Sequence, residues 1–238
     1  MKYVIALSFF AFSTSLFAQE PSVLQMMNGK QMEVYQLNDS TFTNLQFWYD
    51  KNFFTRERLN NRLRRKEKDF FNSKLVSEKA ATLPVVLREG TAEREEVYAV
   101  KSPEGERKFF YYYDEMVGND LSMEAMHHFI SGEADARVVS TGKGWFYAGL
   151  GIGAISGYAA RQSIFVLAVP PLFALSANIP VIKIKEQYVR DKSHLNNLDY
   201  ATGFESVTRS KNVREGLKGS AIGILIGLVT YTIVDNNR

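Results

Sequence analysis

Apolar and polar positions follow three regimes along the chain. From Val23 to Tyr113 the short apolar stretches are strand-like, with tight turns between them. Val23–Met27 and Lys30–Gln36 flank Asn28-Gly29, a pair that readily takes the positive φ angles of a type I′ turn, so the segment reads as a hairpin. Asn38-Asp39-Ser40 marks a second turn and Thr41–Tyr49 a third strand rich in β-branched and aromatic residues. Glu95–Lys101, the turn Pro103-Glu104-Gly105 and Arg107–Tyr113 form a further hairpin. Five short strands predict an α+β fold built on a small antiparallel, strongly bent sheet or barrel-like domain. Helical spacing follows: Asp120 or Ser122 can cap a helix running to about Asp135, with Met123, Met126, Phe129 and Ile130 as its apolar positions.

Beyond that helix come two stretches almost without charge. Trp145–Ile182 holds 38 residues with a single charge, Arg161, and Gly219–Val234 holds 16 with none. A 38-residue helix would be about 57 Å long against a hydrocarbon core of roughly 30 Å, so the first stretch divides into Trp145–Ala160 and Ile164–Ile182, turning at Arg161-Gln162-Ser163. Pro170-Pro171 is expected to kink the second piece. Gly149, Gly153 and Gly157 recur every fourth residue, as do Gly219, Gly223 and Gly227. At 3.6 residues per turn each row is a groove where another backbone can approach, either between these two segments or between copies of the chain. Between the apolar stretches, Lys183–Lys218 carries eight cations and five acids. The charge argues for a cytoplasmic connection; the length of the apolar stretch argues for a full hairpin that would return it to the N-terminal side. Both readings stay open on the sequence.

Charge and composition sharpen this division. Residues 1–18 have the three parts of a secretory signal: Lys2, the apolar run Tyr3–Phe12 and a softened end at Leu16-Phe17-Ala18, with cleavage expected after Ala18. The chain has no cysteine, which excludes disulfide scaffolds, thiolate metal sites and thiol nucleophiles. A net charge of +3 and an exported location argue against a nucleic-acid partner. The expected organisation is a signal peptide at 1–18, an exported α+β domain at 19–141 with a basic insert at 54–80, an apolar helical hairpin or kinked span at 142–182, a basic connecting segment with a helix at 183–218, and a transmembrane helix at 219–234. In the insert, Arg56, Arg62, Arg64, Arg65, Lys66 and Lys68 are candidates for contact with an anionic lipid surface; the alternative is a solvated helix or loop.

Candidate chemistry is sparse. Glu124, His127, His128, Glu133 and Asp135 are the one constellation of ligand-type side chains, and Glu124 and His128 share a helix face. Without H-E-x-x-H or a placeable third ligand, no metal, cofactor or catalytic residue is expected; a metal-assisted hydrolase is the remote third reading. The strand pair Val23–Lys30, Glu96-Val97-Tyr98-Ala99-Val100 with Gly105-Glu106-Arg107-Lys108, the run Ser131–Arg137, and Tyr200…Gly203-Phe204…Arg209-Ser210-Lys211 leading into the last span together resemble a group of exported membrane proteins of Bacteroidetes-type bacteria. That resemblance implies location and architecture and carries no activity. The expectation is a non-enzymatic membrane-anchored envelope protein of the inner membrane. Its N-terminal domain would lie on the periplasmic side and contact an unidentified envelope protein, the bilayer being the other partner. The alternative is a homo-oligomeric membrane-active or transport accessory assembly joined through glycine-zipper helices.

Overall fold

The computed structural model describes residues 20–39, 43–65, 67 and 70–236. The predicted signal segment, Lys66 and Lys68 lie outside them. The fold is α+β, in two compact units, one ending at Ala134 and the next beginning at Asp135.

Among the described residues six strands form the sheet of the first unit: β1 Ser22–Met26, β2 Gln31–Asn38, β3 Asn44–Asp50, β4 Leu87–Glu93, β5 Val97–Lys101 and β6 Arg107–Phe109. They pair antiparallel in the order β4-β3-β2-β1-β5-β6. Leu24, Val34, Leu45, Phe47, Val97 and Val100 form the core on one face. Tyr98, Ala99 and Tyr111 pack instead with Ile130 of α3, Met123–Val139. Lys108 of β6 forms an ion pair with Asp39, just past the end of β2. In a flat sheet those strands would lie about 14 Å apart, so the pair records a strong bend. The strand missing from the periodicity reading is β4, whose Leu-Arg-Glu-Gly-Thr-Ala-Glu has little apolar alternation. It pairs with β3 from Asn44↔Glu93 to Asp50↔Leu87, and Gly90 leaves room for the Phe47 and Tyr49 rings.

The first hairpin differs from the expected type I′ turn. Gly29 alone is left-handed, at φ 74°, while Asn28 keeps negative φ. Its side-chain oxygen accepts from the Lys30 N–H at 3.0 Å. With Met26 N–H on the Lys30 carbonyl, the loop is Met27-Asn28-Gly29, a three-residue connection that needs one positive φ and not two. A Cβ at Gly29 would also lie 2.8 Å from the Ala134 nitrogen. Gly29→Ala is therefore expected to cost about 2 kcal/mol, combining left-handed strain with the clash; a fall of several degrees in thermal midpoint checks it.

The basic insert contains α1, Phe53–Arg64, and α2, Glu78–Ala81. Its anchor is Asp50, fully buried, which accepts from the N–H groups of Asn52 (3.0 Å) and Val86 (2.9 Å) and pairs with Arg56.

The second unit is helical. Besides the end of α3 it comprises α4 Lys143–Ala159, α5 Val169–Leu175 and α6 Leu198–Asn236. The Ile164–Ile182 piece expected as one kinked span is three short ones: a 3₁₀ segment Ile164–Ala168, α5, and 3₁₀ Ser176–Asn178. Pro170-Pro171 sit in the first turn of α5, where a missing N–H leaves no carbonyl unpaired, so they start a helix instead of bending one. The boundary expected at 218/219 falls inside a continuous 39-residue α6.

Candidate functional site

The glycine rows meet each other within one chain. A Cβ built at Gly149, Gly153 or Gly157 of α4 would come closer than 3.0 Å to the carbonyl oxygens of Gly216, Ser220 and Ile224. One built at Gly219, Gly223 or Gly227 of α6 would strike those of Phe146, Leu150 and Ala154 as closely. Partner numbers rise together, so α4 and α6 run parallel with their backbones in contact. Dispersion and Cα–H···O contacts hold such a crossing where no larger side chain fits.

Parallel helices need a return path. The Trp145 and Phe173 rings lie 5.2 Å apart, and Ala174 packs on Gly216, so residues 164–178 run antiparallel to α4 and α6. The charged connection and the first half of α6 therefore lie at the Lys143 end of this three-stranded helical element. At its other end Arg161 Nη1 donates to Asp235 Oδ1 at 3.0 Å, the Tyr231 hydroxyl donates to Asp235 Oδ2 at 2.8 Å, and the guanidinium covers the Tyr231 ring at 5.2 Å.

Between these ends the outward side chains are almost all apolar and solvent-exposed. Phe165 is 83% exposed, Ile155 71%, Leu172 65% and Leu225 64%. Such a continuous belt exceeds the patches expected on a water-soluble surface. Among the described residues one helix, Leu198–Asp235, is long and apolar enough by length and composition to cross a membrane, which suggests membrane association.

Above the apolar length, the buried Asp135 carboxylate ties three segments together. It accepts from the Tyr200 hydroxyl at 2.9 Å and the Arg190 backbone N–H at 3.0 Å, and Arg190 Nε stands 3.6 Å from its other oxygen. Burial pushes this carboxyl above the ordinary carboxylate range, against the opposing pull of the Arg190 N–H and charge, Tyr200 and His194. Lys211 Nζ donates to the carbonyls of Ala136, Arg137 and Ser140, closing the C-terminal end of α3. The sequence signal for this cluster is Asp135 set between Ala134 and Ala136, in a run that also holds Glu133 and Arg137.

The other sequence candidates separate. Glu124 Oε1 and His128 Nε2 are 3.9 Å apart, whereas His127 stacks on Tyr98 at 6.2 Å. Among the described residues no group of three or more His, Cys, Asp or Glu could hold a metal. In the insert Arg56 is occupied by Asp50, Arg62 is exposed, and Arg64 and Arg65 are half-buried. The first unit also has a cleft of about 620 Å³ whose walls include Arg94, Phe110, Tyr112 and Asn119. Nearby in sequence, Phe109, Tyr113 and Met116 expose apolar surface. No protein family, curated protein or solved structure matches the chain.

Proposed function

We propose that the chain is a membrane-anchored protein of the bacterial envelope, exported by its first 18 residues. Its helical element lies in the inner membrane and its α+β unit stands on the periplasmic side as a non-enzymatic binding or structural module. The belt of exposed apolar side chains bounded by polar ends carries this reading. Crossing inward with α4, back outward through residues 164–178 and inward again with α6 accounts for the parallel glycine contact and for the Arg161–Asp235 pair at the far end. The cleft by Arg94 and the exposed Tyr112 and Tyr113 support contact with an envelope partner. Resistance to alkaline extraction, with reporter fusions after Arg161, within Asn196-Asn197 and after Arg238, tests the reading. Recovery in the soluble fraction without detergent refutes it.

The belt is short. Trp145–Ala160 and Gly219–Val234 each rise about 24 Å, some 6 Å less than a typical hydrocarbon core. Thermal stability after reconstitution is therefore expected to be highest in bilayers of roughly 14-carbon chains and to fall by several degrees in 20-carbon chains. A flat or reversed dependence contradicts the assigned slab.

A glycine-zipper oligomer acting on the membrane is the second reading. With both glycine rows engaged inside the chain, it would use the outward face of α4. There a Cβ at Gly144 or Gly151 meets nothing within 4 Å. Monomeric size in several detergents argues against it.

A further inference from the structure

We infer that the Lys143 end of the helical element carries a binding collar for anionic phospholipid headgroups; the inference rests on the membrane reading above. The recognised chemistry is a phosphate monoanion, and the source assigned is the phosphodiester of a lipid such as phosphatidylglycerol.

The apolar belt ends at a defined level, where Trp145, Phe173 and Gly216 come together. At that level Lys143, Arg214 and Lys218 are exposed. The carboxylate among them belongs to Glu215, which lies under Gly142 and takes Lys218 at 2.8 Å and Arg214 at 3.7 Å. Three cations over one carboxylate leave an excess of positive charge at the belt's edge. Two more cations join them. From Ala174, packed on Gly216, the chain climbs to Arg190, which bonds Asp135 beside Tyr200, sixteen positions earlier on α6. That climb is about 24 Å. Lys183 and Lys185, both exposed, are carried on this segment between its two anchored ends, with Glu186 after them.

Lysine and arginine beside an oily surface extend their charges outward along their methylene stems, which is where a bilayer presents phosphates. Each cation at an anionic surface is worth about fivefold in affinity. The short belt strengthens the case, because headgroups drawn inward by a thinned bilayer come closer to Lys143 and Lys218.

The full chain is reconstituted with equal phosphatidylcholine and phosphatidylglycerol, and the lipid retained through detergent washing is quantified. Phosphatidylglycerol is expected at about threefold or more over phosphatidylcholine. That ratio should fall to near one in the K143Q/K183Q/K185Q/R214Q/K218Q variant and be kept when the same lysines are exchanged for arginine and Arg214 for lysine. Loss of the wild-type preference on raising salt gives a reading independent of the variant's folding. Equal retention of both lipids by the wild type overturns the collar, as does a preference that survives the glutamine exchanges. Displacement of phosphatidylglycerol by inorganic phosphate at constant ionic strength overturns the lipid source in favour of free phosphate. Failure to enter the mixed bilayer overturns the membrane reading itself, a result distinct from incorporation without headgroup preference.

Discussion

Leucine at Gly153 and Gly223 is expected to open the contact between α4 and α6. The obstacle at each position is backbone: a Cβ at Gly153 would strike the Ser220 carbonyl, and one at Gly223 the Leu150 carbonyl, both closer than 3.0 Å. Side chains in a flexible core yield to an added methylene at about 1–3 kcal/mol, but a helix backbone in contact over four turns cannot yield locally. Either substitution should therefore cost about 3 kcal/mol or more. The pair should cost less than the sum, because the first already separates the helices. Thermal unfolding in detergent and protease sensitivity of residues 160–197 read the effect. The alanine variants should fall between wild type and leucine. Wild-type midpoints for the leucine variants would contradict the parallel crossing.

Removing the Asp135 carboxylate is expected to be comparably damaging, and its pH dependence separates two roles. Asp135→Ala leaves the buried Tyr200 hydroxyl and the Arg190 N–H without their acceptor, a loss of about 3 kcal/mol. Asp135→Asn keeps an acceptor for both and should cost about 1 kcal/mol or less at neutral pH. The sign of the pH effect follows from burial. Since the folded carboxyl titrates above its unfolded value near 4, the native state holds more protons than the unfolded chain in that window. Stability from this group then falls as pH rises from about 4 through the folded value, opposite to an ordinary salt-bridged carboxylate. Thermal midpoints in detergent across pH 4–8 should show that decline in the wild type and a flatter profile in Asp135→Asn. A wild type that gains stability over the same range, relative to Asp135→Asn, would contradict the dominance of burial.

Much of the architecture is local in origin. The hairpin at Asn28-Gly29, the capped start of α3 at Ser122 and the two apolar stretches each rest on residues within a few positions of one another. Strand β4 is different. Polar, with Gly90 at its centre, it becomes a strand because β3 offers it a full ladder and because the Phe47 and Tyr49 rings fill the space above the glycine. The basic insert changes meaning for the same reason. Arg56, one of a run of similar cations in the sequence, finds the buried Asp50, while Arg62, six positions later, faces solvent.

The candidate site divides along the same line. Glycine every fourth residue on two apolar segments determines, with no help from tertiary structure, that each segment has a side a backbone can touch. The reason is geometric: 3.6 residues per turn align those positions wherever a helix forms. Whether the two sides meet each other or a second copy, and whether the helices run parallel, depends on where residues 164–178 turn back. That was decided by contacts remote in the chain, Trp145 with Phe173 and Ala174 with Gly216. Asp135, Arg190 and Tyr200 are likewise separated by 55 and 65 residues, and only the folded connection brings one buried carboxylate to both partners.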